Sequence, residues 1–195
     1  MIIGITGGTG CGKTTALEAA KALGGLVLDC DAIYHQLLQT DKDLLAAIEH
    51  RFPGVVLEGK LLRKKLGEIV FESSAALKDL NAITHNAVKQ AVLKALSENP
   101  GFAVIDAIAL FESGLSQVCD VTVAVTAPEE ARISRLVSRE EISREYAQAR
   151  INAQRPQGEF EALCDCALVN DGTREEFYEK CLGFFKKWAI IEQNT

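Results

Sequence analysis

No stretch of this sequence approaches the roughly 18 consecutive apolar residues that a membrane-spanning helix needs. Its opening, MIIGITGG, has neither a basic lead nor a small-residue cleavage site. The chain is therefore expected to stay in the cytoplasm and off membranes. Positive charge is outnumbered: 21 lysines and arginines against 27 acidic residues leave a net charge of −6. An extended nucleic-acid footprint, which depends on clustered cations neutralising many phosphates, is not expected. The six cysteines, Cys11, Cys30, Cys119, Cys164, Cys166 and Cys181, form no CxxC pair. Cys164 and Cys166 lack the second pair or spaced histidines of a zinc site, since His35, His50 and His85 are scattered. All six are read as reduced thiols.

What is present is an ordinary globular composition, 48% apolar and 25% charged over 195 residues, sufficient for one domain with an appendage. Nearly continuous apolar runs, MIIGIT, GGLVLDCD, GFAVIDAIALF, DVTVAVTA and CALVN, alternate with segments of helical spacing. Strands of that kind suit a parallel sheet buried on both faces, so the expected fold is a doubly wound α/β domain with five strands. Residues 60–98 contain no strand-like run and no proline, and are expected to be a helical insertion. Residues 129–155 are helical in pattern, with Gly158 just beyond, and a closing helix runs from Thr173 to Gln193, where Thr173 and Glu176 form a capping box. The expectation is a single domain over 1–195, its core in 1–59, 100–128 and 157–195. No boundary between independent domains is visible, and a monomer or weak homo-oligomer is expected.

Gly7, four further residues, then Gly12-Lys13-Thr14 complete the pattern G-x4-G-K-[ST] between a predicted strand and a predicted helix. Glycines let successive backbone N–H groups turn inward as an anion nest. Lys13 adds a mobile charge for the outer phosphates, Thr14 a hydroxyl for Mg²⁺, and the helix its positive end. The pattern points to a nucleoside triphosphate. The DxxG and NKxD motifs of a GTPase switch are both missing.

Phosphoryl transfer to a small molecule further requires a carboxylate at the acceptor, cations on the moving group and exclusion of water. Asp29 and Asp31 close the second predicted strand, where spacing two would place them on one face, and Asp31 could instead cap the next helix. Asp106 ends the third predicted strand and could order Mg²⁺ through water, or be a structural strand terminus. Six of the nine arginines, Arg132, Arg135, Arg139, Arg144, Arg150 and Arg155, lie in a window without lysine. Planar, permanently charged donors suit phosphate oxygens, and the position suits a lid. Glu129, Glu130, Glu140, Glu141 and Glu145 could instead pair with several of them.

Taken together, GITGGTGCGKTT, LDCDAI, LRKKLGEIVF with LNAITH, VIDAIALFES, RISRLVSREEISREYAQARINAQ and CDCALVNDG resemble the dephospho-CoA kinase family in order and over nearly the whole chain. The resemblance implies a P-loop fold, ATP and Mg²⁺ as cofactors, and transfer to the ribose 3′-hydroxyl of dephospho-CoA, the final step in making coenzyme A. It implies that Gly8, Gly10, Cys11, Gly12, Lys13, Thr14 and Thr15 hold ATP, with Asn170 near adenine. Asp31 would orient or deprotonate the hydroxyl, Arg139 would meet the transferring group, and Arg63, His85, Leu110 and Glu112 would border the acceptor. Thr14 and Asp106 would serve the metal. Ala109 and Asn86 stand where the family commonly has proline, and Cys11 where it often has serine; that thiol, at a helix N-terminus, is expected to ionise readily. The alternatives are a kinase for a nucleoside monophosphate or a shikimate-like acid, or a regulatory ATP-binding module.

Overall fold

The computed structural model describes residues 1–191; residues 192 and 193 of the expected closing helix lie outside them. The chain forms two compact units, one of residues 1–28 with the chain from Asn99 onward, the other Asp29–Glu98. Among the described residues no helix is long and apolar enough to cross a membrane.

In the first unit, β1 (Ile2–Thr6) lies at the centre of a five-stranded sheet that also contains β2 (Leu26–Asp29), β5 (Ala103–Asp106), β6 (Val121–Thr126) and β7 (Cys166–Val169). The order is β2-β5-β1-β6-β7, and β1 pairs in parallel with both β5 and β6, as β6 does with β7. All six residues of β6 are buried, as expected of a strand covered on both faces. The strands between β1 and the two edges fill opposite sides of β1, so the loop after β1 emerges at the carboxyl end where the topology switches, the usual ligand crevice of such sheets.

Helix α1 (Lys13–Ala22) turns Ala16, Ala19 and Ala20, all fully buried, toward the core. These small side chains permit close packing against α9 (Arg174–Ile191), whose Phe177 and Phe185 join the same cluster as Ile3, Ile5 and Val123. Each of those rings contributes about 1.5–3 kcal/mol by leaving water. The capping box at α9 is present: Glu176 N–H donates to Thr173 Oγ1 at 3.2 Å, and Thr173 N–H to Glu176 Oε2 at 2.8 Å. The arginine-rich segment forms α6 (Glu129–Glu140) and α7 (Arg144–Asn152), which share a small core of Ile133, Leu136, Ala147 and Ile151. Gly158 does not follow a helix end: it is the second residue of α8 (Gln157–Leu163), because Pro156 restarts the chain as N-cap.

The second unit contains α2 (Cys30–Thr40), α3 (Lys42–Arg51), α4 (Arg63–Glu72) and α5 (Ser74–Glu98) around Leu38, Leu44, Leu45, Ile48, Phe52, Val55 and Leu66. It also has a hairpin of β3 (Val56–Leu57) and β4 (Lys60–Leu61), a departure from the strandless reading of residues 60–98. Glu58 and Gly59 both take positive φ, 50° and 73°, the geometry of a two-residue hairpin turn. Glutamate is an unusual residue for that position, which hid the turn. The Glu49 carboxylate anchors the preceding segment by accepting from the N–H groups of Gly54 (2.5 Å) and Val56 (2.7 Å), which hold its pKa below the ordinary range.

Candidate active site

The phosphate loop follows β1 and ends at Gly12, whose φ of 104° makes it a left-handed N-cap of α1. Its glycines are required first by what lies behind them. A Cβ on Gly7 would strike the Val125 carbonyl, one on Gly8 the Arg132 guanidinium, and one on Gly12 the Asn170 amide. Sequence reasoning attributed the glycines to the phosphate alone; the loop is also pressed against β6, α6 and the end of β7.

Four side chains hold that loop. Arg132, only 5% exposed, donates from Nε to the Thr9 carbonyl at 2.9 Å. Arg135 donates to the Gly10 carbonyl (3.2 Å), and to the carbonyl (3.4 Å) and Oδ1 (3.0 Å) of Asn170. Asn170 passes the link on, donating from Nδ2 to the Cys11 carbonyl at 2.9 Å. Gln154, just after α7, accepts from Thr9 N–H at 2.7 Å. The carbonyls of Thr9, Gly10 and Cys11 and the Thr9 N–H are thereby committed to protein partners, which fixes the loop's backbone in place, as an anion nest requires. The resemblance assigned Asn170 to adenine, but its buried amide is committed at both ends to protein. Asp165, before β7, complements it by accepting from Thr122 N–H (2.8 Å) and Oγ1 (2.7 Å), contacts that lower its pKa.

Lys13 Nζ donates to the Gly7 carbonyl at 2.8 Å, so its charge is folded back on the loop. Thr14 is exposed in the first turn of α1 and Thr15 half-buried. Asp106 ends β5 in register with Ile5, beside the root of the loop. Among the described residues no group of three or more His, Cys, Asp or Glu is arranged to hold a metal. One hydroxyl and one carboxylate match the way Mg²⁺ binds when it arrives on substrate phosphates and keeps its waters. Cys11 contradicts its expected reactivity: it is 1% exposed, and burial raises its thiol pKa despite the opposing charges of Arg132 and Lys13. All six cysteines are free.

The lid arginines are partnered. Arg139, exposed at the end of α6, pairs with Glu140, which also takes Arg150; Arg144 pairs with Glu130. Arg155 pairs with Glu112 and lies 5.8 Å over the Phe160 ring. Glu112 is thus exposed and committed to an arginine. Leu110, expected at the acceptor, is fully buried and packs against Gly4, so it supports β1 and does not line a surface.

In the second unit Asp29 and Asp31 do not share a strand face, because α2 begins at Cys30. Asp29 is the N-cap, its Oδ1 accepting from the N–H groups of Asp31 (2.9 Å) and Ala32 (3.0 Å), so the capping role considered for Asp31 belongs to its neighbour. Asp31 is exposed in the first turn, where the helix dipole favours its charge. Arg63, the first residue of α4, reaches within 3.4 Å of His35 Nδ1. His85 is half-buried in α5.

Sequence reasoning grouped Arg132 and Arg135 with the other lid cations and missed their hold on the loop, as it missed that of Gln154. Spacing offered no means of sorting them, because residues 132, 135 and 139 all lie along one helical face.

The family model described as dephospho-CoA kinase matches residues 1–176. A dephospho-CoA kinase of Geobacillus kaustophilus is 35% identical over 202 residues, covering 99% of each chain. Among solved structures, TT1252 from Thermus thermophilus superposes with a TM-score of 0.79 at 33% identity, over 100% of this chain and 98% of that one. A dephospho-CoA kinase from Campylobacter jejuni follows with a TM-score of 0.69 at 27% identity and the same coverage.

Proposed function

Because this chain belongs to the dephospho-CoA kinase family, we propose that it transfers the γ-phosphoryl group of ATP to the ribose 3′-hydroxyl of dephospho-CoA, giving coenzyme A and ADP. The observation that carries this reading is a complete phosphate loop, fixed from behind, in a chain similar over its whole length to kinases of that name. The loop amides and the positive end of α1 hold the triphosphate, while Lys13 leaves the Gly7 carbonyl for the outer phosphates. Thr14 and Asp106 fit Mg²⁺ carried by the nucleotide, which supplies charge neutralisation. Asp31 accepts the hydroxyl proton or aligns the oxygen for attack. It is better suited than Asp29, whose oxygen is occupied by two backbone donors. Arg139 exchanges Glu140 for the transferring group, in the manner of an arginine finger.

The test is a coupled ADP-release assay on the wild type and on Asp31→Asn, with dephospho-CoA, AMP and shikimate as separate acceptors. Turnover with dephospho-CoA alone, and its loss by about two to four orders of magnitude in Asp31→Asn with ATP binding intact, is the expected result. Stimulation by AMP or shikimate instead would redirect the acceptor assignment. ATP binding without acceptor-dependent turnover would leave a nucleotide-binding module.

A further inference from the structure

We propose that a cleft behind the phosphate loop, at the start of α6, is a second anion site that takes a phosphate group, free or as a small ester, and that its occupancy steadies the loop for the nucleotide. The cleft lies wholly within the first unit. Its volume is about 500 Å³, and Glu129, Arg132, Asn152, Gln154, Arg155 and Gln157 stand in its wall, whereas no described residue of the phosphate loop lines it. A volume of that size suits a small molecule. None of the residues assigned to the acceptor takes part, so the site stands apart from the choice of acceptor.

Two observations mark the cleft for an anion. The first is a buried positive charge without a counter-charge. Arg132 is 5% exposed, yet among the described residues its guanidinium makes one hydrogen bond, from Nε to the Thr9 carbonyl at 2.9 Å, although it carries five N–H donors. Nη2 is buried with no partner. A guanidinium removed from water carries a large desolvation cost unless an anion offsets it. Glu129, one turn earlier on α6, accepts instead from Gln148 at 3.0 Å, and Arg155 is paired with Glu112. The second observation is the end of α6 itself. Its N-cap is Pro128, which offers no side-chain acceptor, and both Pro128 and Glu129 line the cleft, so the positive end of a helix of 12 residues opens there uncapped.

Donors from a guanidinium, from the Gln154 amide and from a helix end exceed what the oxygens of one carboxylate satisfy, and match the larger oxygen set of a phosphate. Arg132 and Gln154 also hold both sides of one loop residue: Arg132 takes the Thr9 carbonyl, and Gln154 Oε1 accepts from the Thr9 N–H at 2.7 Å. Gln154 engages the loop only through that oxygen, so its amide nitrogen remains a donor for the cleft. An anion that fixes both side chains fixes the loop backbone at Thr9. By linkage, a bound nucleotide and the anion then tighten each other.

Calorimetric titration of orthophosphate into the full-length protein saturated with Mg²⁺ and the non-hydrolysable ATP analogue AMPPNP, at constant ionic strength, tests the site. The analogue keeps orthophosphate off the loop itself. A single saturable site per chain is expected, and AMPPNP should bind about two- to fivefold more tightly with orthophosphate present than without it. Arg132→Gln should weaken orthophosphate binding by about tenfold or more. Asn152→Asp, which adds a negative charge to the wall without touching the loop, should weaken it about three- to tenfold, and Glu129→Gln, which removes one, should tighten it about two- to fivefold. Those two substitutions decide the matter by themselves where Arg132→Gln fails to fold. Absence of saturable orthophosphate binding to the AMPPNP complex overturns the proposal, as does an affinity that none of the substitutions moves. Mutual exclusion of orthophosphate and AMPPNP overturns it too, because the ion would then be reading the nucleotide's own site. Glycerol 3-phosphate, titrated in the same way, separates the sources of the phosphate group. Tighter binding than orthophosphate assigns the remaining volume to the organic part of an ester, equal or weaker binding assigns the cleft to the free ion, and either result supports the site.

Discussion

Two pairs of arginines on the same stretch of chain behave in opposite ways. Arg132 and Arg135, on the turns of α6 near β6, hold backbone carbonyls of the phosphate loop, and Arg132 is almost wholly buried. Arg139 and Arg150, farther out, converge on the single carboxylate of Glu140. The inner pair has partners that cannot leave, because they are the loop itself. The outer pair shares one half-buried carboxylate that is still open to water, and ion pairs open to water are worth only about 0–1 kcal/mol, which makes them inexpensive to exchange for a phosphate. A run of one residue type is thereby divided into scaffold and moving part, the scaffold being the two arginines of α6 that reach the loop.

The sharpest way to break that comparison is Arg139→Ala. Its kcat is expected to fall on the order of a thousandfold, by analogy with arginine fingers, with Tm within about 1 °C of the wild type because only an exposed pair is lost. Single-turnover kinetics with differential scanning calorimetry check both halves, and a lowered Tm with normal turnover would exchange the two roles. Arg135→Ala should show the converse pattern. Loss of charge-assisted bonds to Gly10 and Asn170 costs about 1.5–3 kcal/mol, a fall in Tm of roughly 3–12 °C. KM for ATP should rise by about tenfold or more as the loop loosens. Arg135→Lys should not rescue it, since a single ammonium lacks the guanidinium fork that spans two residues. The smallest effect is expected for Glu140→Gln, which leaves Arg139 and Arg150 without their shared carboxylate: a change in kcat within about threefold and a Tm within about 2 °C. A large loss there would mean that the Glu140 pair is part of the active arrangement and not its resting partner.

Local chemistry was legible in the sequence wherever a short segment determines its own shape. The loop between β1 and α1 follows from glycine spacing, and the start of α9 from Thr173 and Glu176, three residues apart. The three central strands stood out because both faces of each are buried, which removes polar alternation; the edge strands β2 and β7 share the apolar run although they are only partly buried. What could not be read depends on residues far away in the chain. Leu110 lies in a segment that resembles a site edge, and only the packing of Gly4 against it shows that it points into the core. That Asp29 and not Asp31 caps α2 turns on whether the strand ends one residue earlier or later, a detail set by packing and not by either aspartate. Cys11 looked activated by its place at a helix N-terminus, but it is buried in a core cluster that includes Val123, Leu168 and Phe177, more than 110 residues distant in sequence, and that burial outweighs the local effect.

The bond from Asn170 to Cys11 spans 159 residues, and β1 reaches its partners in β5 only after about a hundred more have been made. On a ribosome, the loop that carries the nucleotide motif is among the first parts to emerge and among the last to be completed. Until β6, α6 and the end of β7 arrive, its carbonyls have only water as partners and its strand has two open edges. The unit from Asp29 to Glu98, with a core drawn from its own consecutive helices, has no such wait. Newly made chain therefore passes through a stage in which the helical unit can fold while β1 remains an exposed apolar strand, the kind of segment that aggregates or recruits chaperones.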